Sequence, residues 1–451
     1  MMEKLKETPL VLWLVEAWAM IRHVFILSWV MSRLLVRYSY VIFREILLEI
    51  PIAKEKLSAL HRKTAHEFVH AAMDLKGGLI KVGQFLSARA DVVPAEIVSI
   101  LGQLQDRVTP APYTYVAETF FAAFGESPET VFASFSREAV AAASLGQVHR
   151  ATTKEGEAVM VKILHHNIKR SLAVDLTMIR IAAFLLGRLF SKFNIERMVD
   201  EIVEVTKMET DYTHEAKSAE RVRQNLLHDT RVRVPRVIWK YCRPTVLCLE
   251  DITGARIDDL YFIKQSGGSV REVLTAVISA YAQQIYVDGF FQCDPHPGNL
   301  FYYPPRADGT PGPLVGIIDF GQSKEIPMEV HHNLRRAVLA VIQRDEEGFL
   351  AAMVNLSVLD TAELPKVRGV VQKLGAQLKT GSASEVMSMN FEALARDVVT
   401  ALRDLDALTL PNDLILYGRT LGLLHGLAFK LDPDLPIFEV AAPYLMRFAF
   451  G

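Results

Sequence analysis

The run Asp294-Pro295-His296-Pro297-Gly298-Asn299, followed after a Pro/Gly-rich loop by Ile317-Ile318-Asp319-Phe320-Gly321, decides the fold of this chain. An Asp, an Asn five positions on and an Asp-Phe-Gly about twenty beyond is an order that supplies a base and oxygen ligands for a cation held among phosphates. Each piece alone is weak. Asp-Pro and Pro-Gly-Asn are ordinary turn dipeptides, and Asp-Phe-Gly recurs by chance. Together they point to a site that handles nucleotide phosphates. Asp294, after a helix-like stretch from Val270, is the candidate base, placed to accept or orient a hydroxyl proton. Asn299 is a candidate Mg²⁺ ligand. Asp319 ends the apolar run Leu314–Ile318, where a carboxylate can hold a metal bridging phosphates.

Lys162 lies in Val159-Met160-Val161-Lys162-Ile163. A lysine in a β-branched strand is unusual in a core unless paired, though an edge strand also tolerates it. In protein kinases a lysine at this place contacts the α/β-phosphates and pairs with a helix glutamate, for which Glu209 and Glu215 are candidates. One hairpin earlier stands Ala139-Val140-Ala141-Ala142-Ala143-Ser144-Leu145-Gly146-Gln147-Val148. Alanines fill most positions where a glycine-rich phosphate loop is usual. Ala141, Ala142, Ala143, Ser144, Gly146 and Gln147 are the candidate nucleotide contacts. Alanine permits close approach but resists positive φ, so a stiffer loop is expected.

The chain has 451 residues, half of them hydrophobic and 23% charged, which excludes a disordered protein. Its 50 basic and 52 acidic residues leave a net charge of −2, which argues against a nucleic-acid binder. Cys242, Cys248 and Cys293 form no zinc-like set and no even disulfide framework, which suits a reducing compartment. The first residues mix acids and bases and lead to no cleavage site, so no secretory signal is read. Residues 9–50 read as one or two helices carrying Trp13, Trp18 and Trp29, suited to an in-plane membrane helix, a partner helix or this protein's own core. Their longest uncharged run, His23 to Ser32, is too short to span a bilayer.

Strands are expected at Val148–Thr152 and Ala158–Leu164 around a Lys154-Glu155-Gly156-Glu157 turn, and again at Arg233–Ile238 and Thr245–Glu250. Helices are expected at Leu172–Phe190 and, longer and charged, at Glu196–Leu227. The order is a helical extension, a small α+β lobe and a larger helical lobe.

These residues resemble the UbiB/AarF family of atypical protein-kinase-like proteins, over roughly residues 60–451. The most specific element is Lys81-Val82-Gly83-Gln84, with Ser87, Arg89, Asp91, Pro94 and Leu104-Gln105-Asp106 around it. As a bare reading Lys81 is a solvated helix lysine. The resemblance implies instead that Lys81 and Gln84 face a nucleotide pocket and restrain protein-kinase activity. Glu209-Thr210-Asp211 matches the family's Glu-x-Asp motif, and Glu215-Ala216 follows it. The resemblance gives Glu215 the ion-pair role and Glu209 and Asp211 polar roles at the active site. Val246 to Asp251 looks like the hinge, with Glu250 beside adenine. Arg419 through Asp434, with Val440 to Tyr444, resembles the C-terminal helices.

The sequence departs from the family at Gln292, where His is usual and a loop-holding role is expected, and at Ser218, often Asn. The first 50 residues match least. The implied fold is α+β and protein-kinase-like. Its parts are apolar N-terminal helices at 1–57, a helical extension at 58–115, an N-lobe at 116–251 and a C-lobe at 252–451. The implied cofactors are ATP and Mg²⁺. The implied activity is ATP hydrolysis or small-molecule phosphorylation supporting isoprenoid-quinone, ubiquinone-type, lipid synthesis. The implied partners are a lipid precursor or lipid-pathway enzymes and a second copy of the chain. The expected place is cytoplasmic, peripheral at the inner face of a membrane. The alternatives are a nucleotide-binding scaffold without turnover and a membrane adaptor.

Overall fold

The computed structural model describes residues 9–75, 78–87, 93–105, 110–142, 145–166, 168–189, 195–306, 308, 310, 312–365, 367–369 and 412–451. The chain divides into two compact units, Met1–His214 with Val237–Asp251, and Glu215–Arg236 with Ile252–Gly451. Both combine helices with small sheets, the expected α+β class.

The first unit opens with one helix, Pro9–Ile42, that ends in a π-helical turn at Phe43–Leu47. Trp18, Ile21, Phe25, Trp29, Val36, Tyr40 and Phe43 recur at helical spacing and are exposed, so they share one face. On another face Leu27 is buried and Arg37 makes a two-pronged pair with Glu67 at 2.8 Å, while Arg22, beside the exposed residues, meets Asp74 at 2.7 Å. The segment Ile21–Glu45, with mean hydropathy 1.3, is long and apolar enough to cross a membrane by length and composition. By that measure the segment is longer than the uncharged run His23 to Ser32. Its arginines Arg22, Arg33 and Arg37 pair with Asp74 and Glu67 of helix Lys54–Leu75.

Helices Lys54–Leu75, Gly78–Ser87, Ala95–Leu101, Ile168–Leu189 and Ile195–Glu209 bury Phe68, Leu79, Leu101, Leu172 and Ile202 with Leu27 in one core. A four-stranded sheet of β1 (Ser134–Ala142), β2 (Gly146–Thr152), β3 (Ala158–Leu164) and β5 (Val246–Glu250) accompanies it, in the order β1-β2-β3-β5. The expected β2–β3 hairpin is present, and Gly156 takes its turn at φ +86°. Ala141 and Ala142 are strand residues rather than loop. Ala142 pairs with Gln147, and the ladder is irregular between Ala139 and Ala141.

The single helix expected at Glu196–Leu227 is two, Ile195–Glu209 and Tyr212–Asn225. Asp211 breaks it: its Oδ1 accepts from the Thr213 N–H (3.0 Å) and hydroxyl (2.7 Å), an N-cap that starts the second helix.

In the second unit, helix Val270–Ala282 passes through a π-helical turn at Gln283–Val287 into β7 (Phe290–Gln292), which pairs with β10 (Ser323–Glu325). A second sheet runs β4 (Val232–Arg233), β9 (Val315–Ile317), β8 (Leu300–Tyr302), β6 (Ala255–Arg256). The β8–β9 register pairs Leu300 with Ile317, and the Ile318 N–H donates to the Asn299 carbonyl at 3.2 Å. The ladder thereby extends one residue past these strands, and Asn299 is set one residue from Asp319.

Candidate functional site

In the second unit the Asp294 loop is held from below by Gln292, which is 1% exposed. The Gln292 side-chain oxygen accepts from the Asp294 N–H (3.0 Å) and from the Tyr281 hydroxyl. Its side-chain nitrogen donates to the Asp294 carbonyl (2.9 Å). The Gln292 N–H in turn donates to the Gln284 side chain at 3.1 Å. Burial pushes the Tyr281 hydroxyl well above its ordinary pKa, with the charges of Asp294 and Asp319 adding to it. It therefore remains a donor. The departure at Gln292 costs the loop nothing in anchorage, since both backbone groups of Asp294 are engaged.

Asn299 donates to the Asp294 carbonyl (3.0 Å) and to Asp294 Oδ2 (3.2 Å), which leaves its own oxygen available. Asp319 accepts from the Gly321 N–H at 2.9 Å. A Cβ added to Gly321 would stand 3.3 Å from Asp319 Oδ1 and 3.4 Å from Glu215 Oε2, so Glu215, 5% exposed, converges on the Asp-Phe-Gly run. Arg419, named above only as the edge of a C-terminal match, reaches Asp294 Oδ1 and Gln322 at 3.4 Å each. Its neighbour Thr420 is fully buried and donates to the Cys293 carbonyl at 3.0 Å. Neither contact carries a signal in local sequence, because helix Asn412–Leu431 lies more than a hundred residues downstream.

Asp294, Asn299 and Asp319 offer only hard oxygen ligands, which fits magnesium. Among the described residues no three His, Cys, Asp or Glu side chains converge into a closed cage. Magnesium does not require one, because substrate phosphates and water ordinarily complete its shell.

In the first unit Lys162 sits on β3 opposite Val148 and Leu247. Its ammonium lies 5.2 Å from the ring centroid of Tyr212, a buried residue that the sequence reading did not single out. The Tyr212 hydroxyl occupies the space where a Gly146 Cβ would stand, and that Cβ would also fall 2.5 Å from the Ile163 carbonyl. Gly146 is therefore demanded by space and not by positive φ, which it does not adopt. The side chain of Gln147, an expected nucleotide contact, makes structural bonds. It is 2% exposed, both its side-chain N–H groups are taken by the Ala111 carbonyl (3.3 Å) and His149 (3.0 Å), and its oxygen accepts from the Ala111 N–H (2.7 Å). It fastens the 110–112 segment to the sheet. Glu250 ends β5 opposite Val159.

Lys81, on helix Gly78–Ser87, pairs with Glu209. One of the two candidate partners of Lys162 is thus engaged elsewhere, and Glu209 Oε1 is buried with no hydrogen-bond partner among the described residues. Gln84 donates to the Leu104 carbonyl at 3.2 Å, within the helical extension. Burial alone would raise the Asp211 carboxyl, but the Thr213 hydroxyl and N–H outweigh it and hold it below the usual range. Ala143, Ser144, Arg89, Asp91 and Asp106 lie outside the described residues.

Residues 103–353 match the ABC1 atypical kinase-like domain. The chain is 32% identical to the chloroplastic protein ACTIVITY OF BC1 COMPLEX KINASE 7 of Arabidopsis thaliana, over 87% of this chain and 55% of that protein. It spans only about half the length of that plant relative. It is 30% identical to a protein named probable protein kinase UbiB in Pseudomonas paraeruginosa, over 84% of this chain and 70% of that one. Among solved structures, Rv3197 of Mycobacterium tuberculosis, determined with erythromycin, matches with a TM-score of 0.59 and 25% identity, covering 88% of this chain and 100% of Rv3197. The order Asp294, Asn299, Asp319 and these matches agree: the chain belongs to the ABC1 family of atypical kinase-like proteins, with that family's α+β protein-kinase-like fold.

Proposed function

We propose that the chain binds ATP with Mg²⁺ and passes the terminal phosphoryl group to water or a small molecule, in support of isoprenoid-quinone synthesis at a membrane. The observation that carries this reading is the Asp294 loop. A carboxylate 27% exposed at its side chain is fixed at both backbone groups and flanked by Asn299 and Arg419. In this reading Asp294 accepts or orients the proton of the attacking hydroxyl. Asn299 and Asp319 hold the metal. Lys162 and the small residues at Ala141 to Ser144 and Gly146 hold phosphates, and Glu250 neighbours the base. Glu215 tightens the Asp-Phe-Gly end, while Lys81 with Glu209 restrains access. A bound magnesium ion supplies neutralisation of phosphate charge. Phosphoryl transfer needs chiefly positioning and electrostatic stabilisation, which is what these anchored groups provide.

The membrane part of the proposal is supported by the exposed stripe from Trp18 to Phe43, on which Trp18 is 67% and Phe25 70% exposed. An aromatic stripe on a helix whose other face is ion-paired to its own protein suits the plane of a bilayer surface. Trp18→Ser with Phe25→Ser should abolish flotation with anionic liposomes, and unchanged flotation removes this part.

The enzymatic part is tested by ATP turnover of purified protein with Mg²⁺, with and without anionic liposomes, beside Asp319→Asn. Nucleotide binding with no turnover under any condition would leave the scaffold reading in its place.

A further inference from the structure

One buried acid stands outside every role assigned above. Asp175, on helix Ile168–Leu189, is 0% exposed and uses both oxygens. Oδ2 accepts from the Gly78 N–H at 2.9 Å, the first residue of the helix that carries Lys81. Oδ1 accepts from His23 Nε2 on the N-terminal helix. The approach at Gly78 is close enough to require glycine, because a Cβ there would fall 2.7 Å from the Asp175 Cβ and carboxylate and 3.0 Å from Leu172. Lys81 follows one turn later and pairs with Glu209, both side chains being largely buried.

We propose that Asp175 is the positioning residue for Lys81. It joins the seat of the N-terminal helix, through His23, to the first turn of the Lys81 helix, through Gly78. The Lys81–Glu209 pair then holds only while the N-terminal helix stays in place.

Three physical points support this. A carboxylate at a helix N-terminus satisfies an otherwise unpaired N–H and faces the positive end of the helix dipole. A buried carboxylate is costly unless hydrogen-bonded, so loss of either partner is felt by the other. The Lys81 helix has ten residues, too short to hold its position by helix propensity alone, so its anchors decide where Lys81 points. The face of the N-terminal helix beside His23 is packed while its stripe is exposed. Whatever binds the stripe therefore acts on the element that Asp175 reads. This deepens the functional reading, and rests on it in taking Lys81 as a restraint on the nucleotide site.

The test uses the full chain and four variants: His23→Ala, His23→Gln, Asp175→Asn and Lys81→Ala. Without nucleotide, two readouts apply: amide exchange of residues 79–87, and acylation of the Lys81 amine followed by peptide mass. Loss of a hydrogen bond to a buried charge should speed exchange there roughly ten- to a hundredfold in His23→Ala and Asp175→Asn. Lys81 labelling should rise with it, while Val270–Ala282 in the second unit exchanges as before. His23→Gln, which can still donate, should stay near wild type. In turnover, Lys81→Ala combined with Asp175→Asn should match Lys81→Ala alone in ATP KM and kcat, because both act through one amine. Unchanged exchange and labelling at Lys81 in Asp175→Asn overturns the proposal, as does a double variant whose effects multiply. If no variant and no wild type turns over ATP, the functional reading fails, and exchange and labelling still decide the role of Asp175.

Discussion

Replacing Gln292 by Leu keeps the side chain's bulk and deletes the amide under the Asp294 loop. Three hydrogen bonds go with it: from the Asp294 N–H at 3.0 Å, to the Asp294 carbonyl at 2.9 Å, and from the Tyr281 hydroxyl. Gln292 is 1% and Tyr281 0% exposed, so water does not replace the lost partners. The Asp294 carbonyl keeps the Asn299 side chain at 3.0 Å. Two groups are therefore orphaned, the Tyr281 hydroxyl and the Asp294 N–H. Each costs about 1–3 kcal/mol, or roughly 2–6 kcal/mol together. Tyr281→Phe added to Gln292→Leu removes one orphan and should restore about 1–3 kcal/mol. Gln292→His, which can still bond the loop, should lose far less than Leu. The assay is urea unfolding of the four proteins, comparing midpoints at constant slope, with ATP turnover beside it. Turnover should fall with the midpoint and recover only in Gln292→His, because the phenylalanine double variant still removes the Gln292 oxygen from the Asp294 N–H. The reasoning is refuted if Gln292→Leu unfolds at the wild-type midpoint, or if adding Tyr281→Phe destabilises it further.

Asp319→Asn should abolish the Mg²⁺ dependence of nucleotide binding and lower turnover by roughly a thousandfold, and a Mg²⁺ titration of ATP binding checks it. Gly146→Ala should destabilise the chain by about 1–3 kcal/mol through overlap with Tyr212 and the Ile163 carbonyl. Tyr212→Phe should relieve part of that, and an undiminished melting temperature of Gly146→Ala counts against the packing argument. His149 is fully buried and burial lowers its pKa; its Nδ1 donates to the Ser136 carbonyl (2.8 Å) and its Nε2 faces the Gln147 side-chain nitrogen (3.0 Å). The folded state resists a proton that the unfolded state takes near pH ~6.5, so stability should fall as pH drops below that value until the depressed folded pKa is reached. His149→Gln should flatten this slope in urea midpoints measured on either side of pH ~6.5, leaving the same-signed shares of His61 and His331.

Much of the architecture was legible from local pattern. The β2–β3 hairpin shows in two β-rich runs around the Lys154–Glu157 turn, and the Asp294, Asn299 and Asp319 spacing survives as a set because one register pairs Leu300 with Ile317. The long charged helix was misread at Asp211, since a capping aspartate inside a helical pattern looks like any exposed acid until its oxygen is seen on Thr213. The side-chain partners of Gln147 are hidden for a related reason. A polar residue beside a phosphate-type loop suggests a ligand contact, and only the fold shows its amide spent on Ala111 and His149.

By itself the sequence determined the order of the chemical groups, because motif spacing is a property of neighbours along the chain, and its resemblance to known proteins implied the family and the fold class. Tertiary structure alone decided which polar atom each group serves: Arg419 on Asp294, Tyr212 under Lys162, Asp175 between His23 and Gly78. Those choices join positions far apart in sequence. A buried donor or acceptor must find some partner, but the requirement does not say which, and only packing brings one within reach.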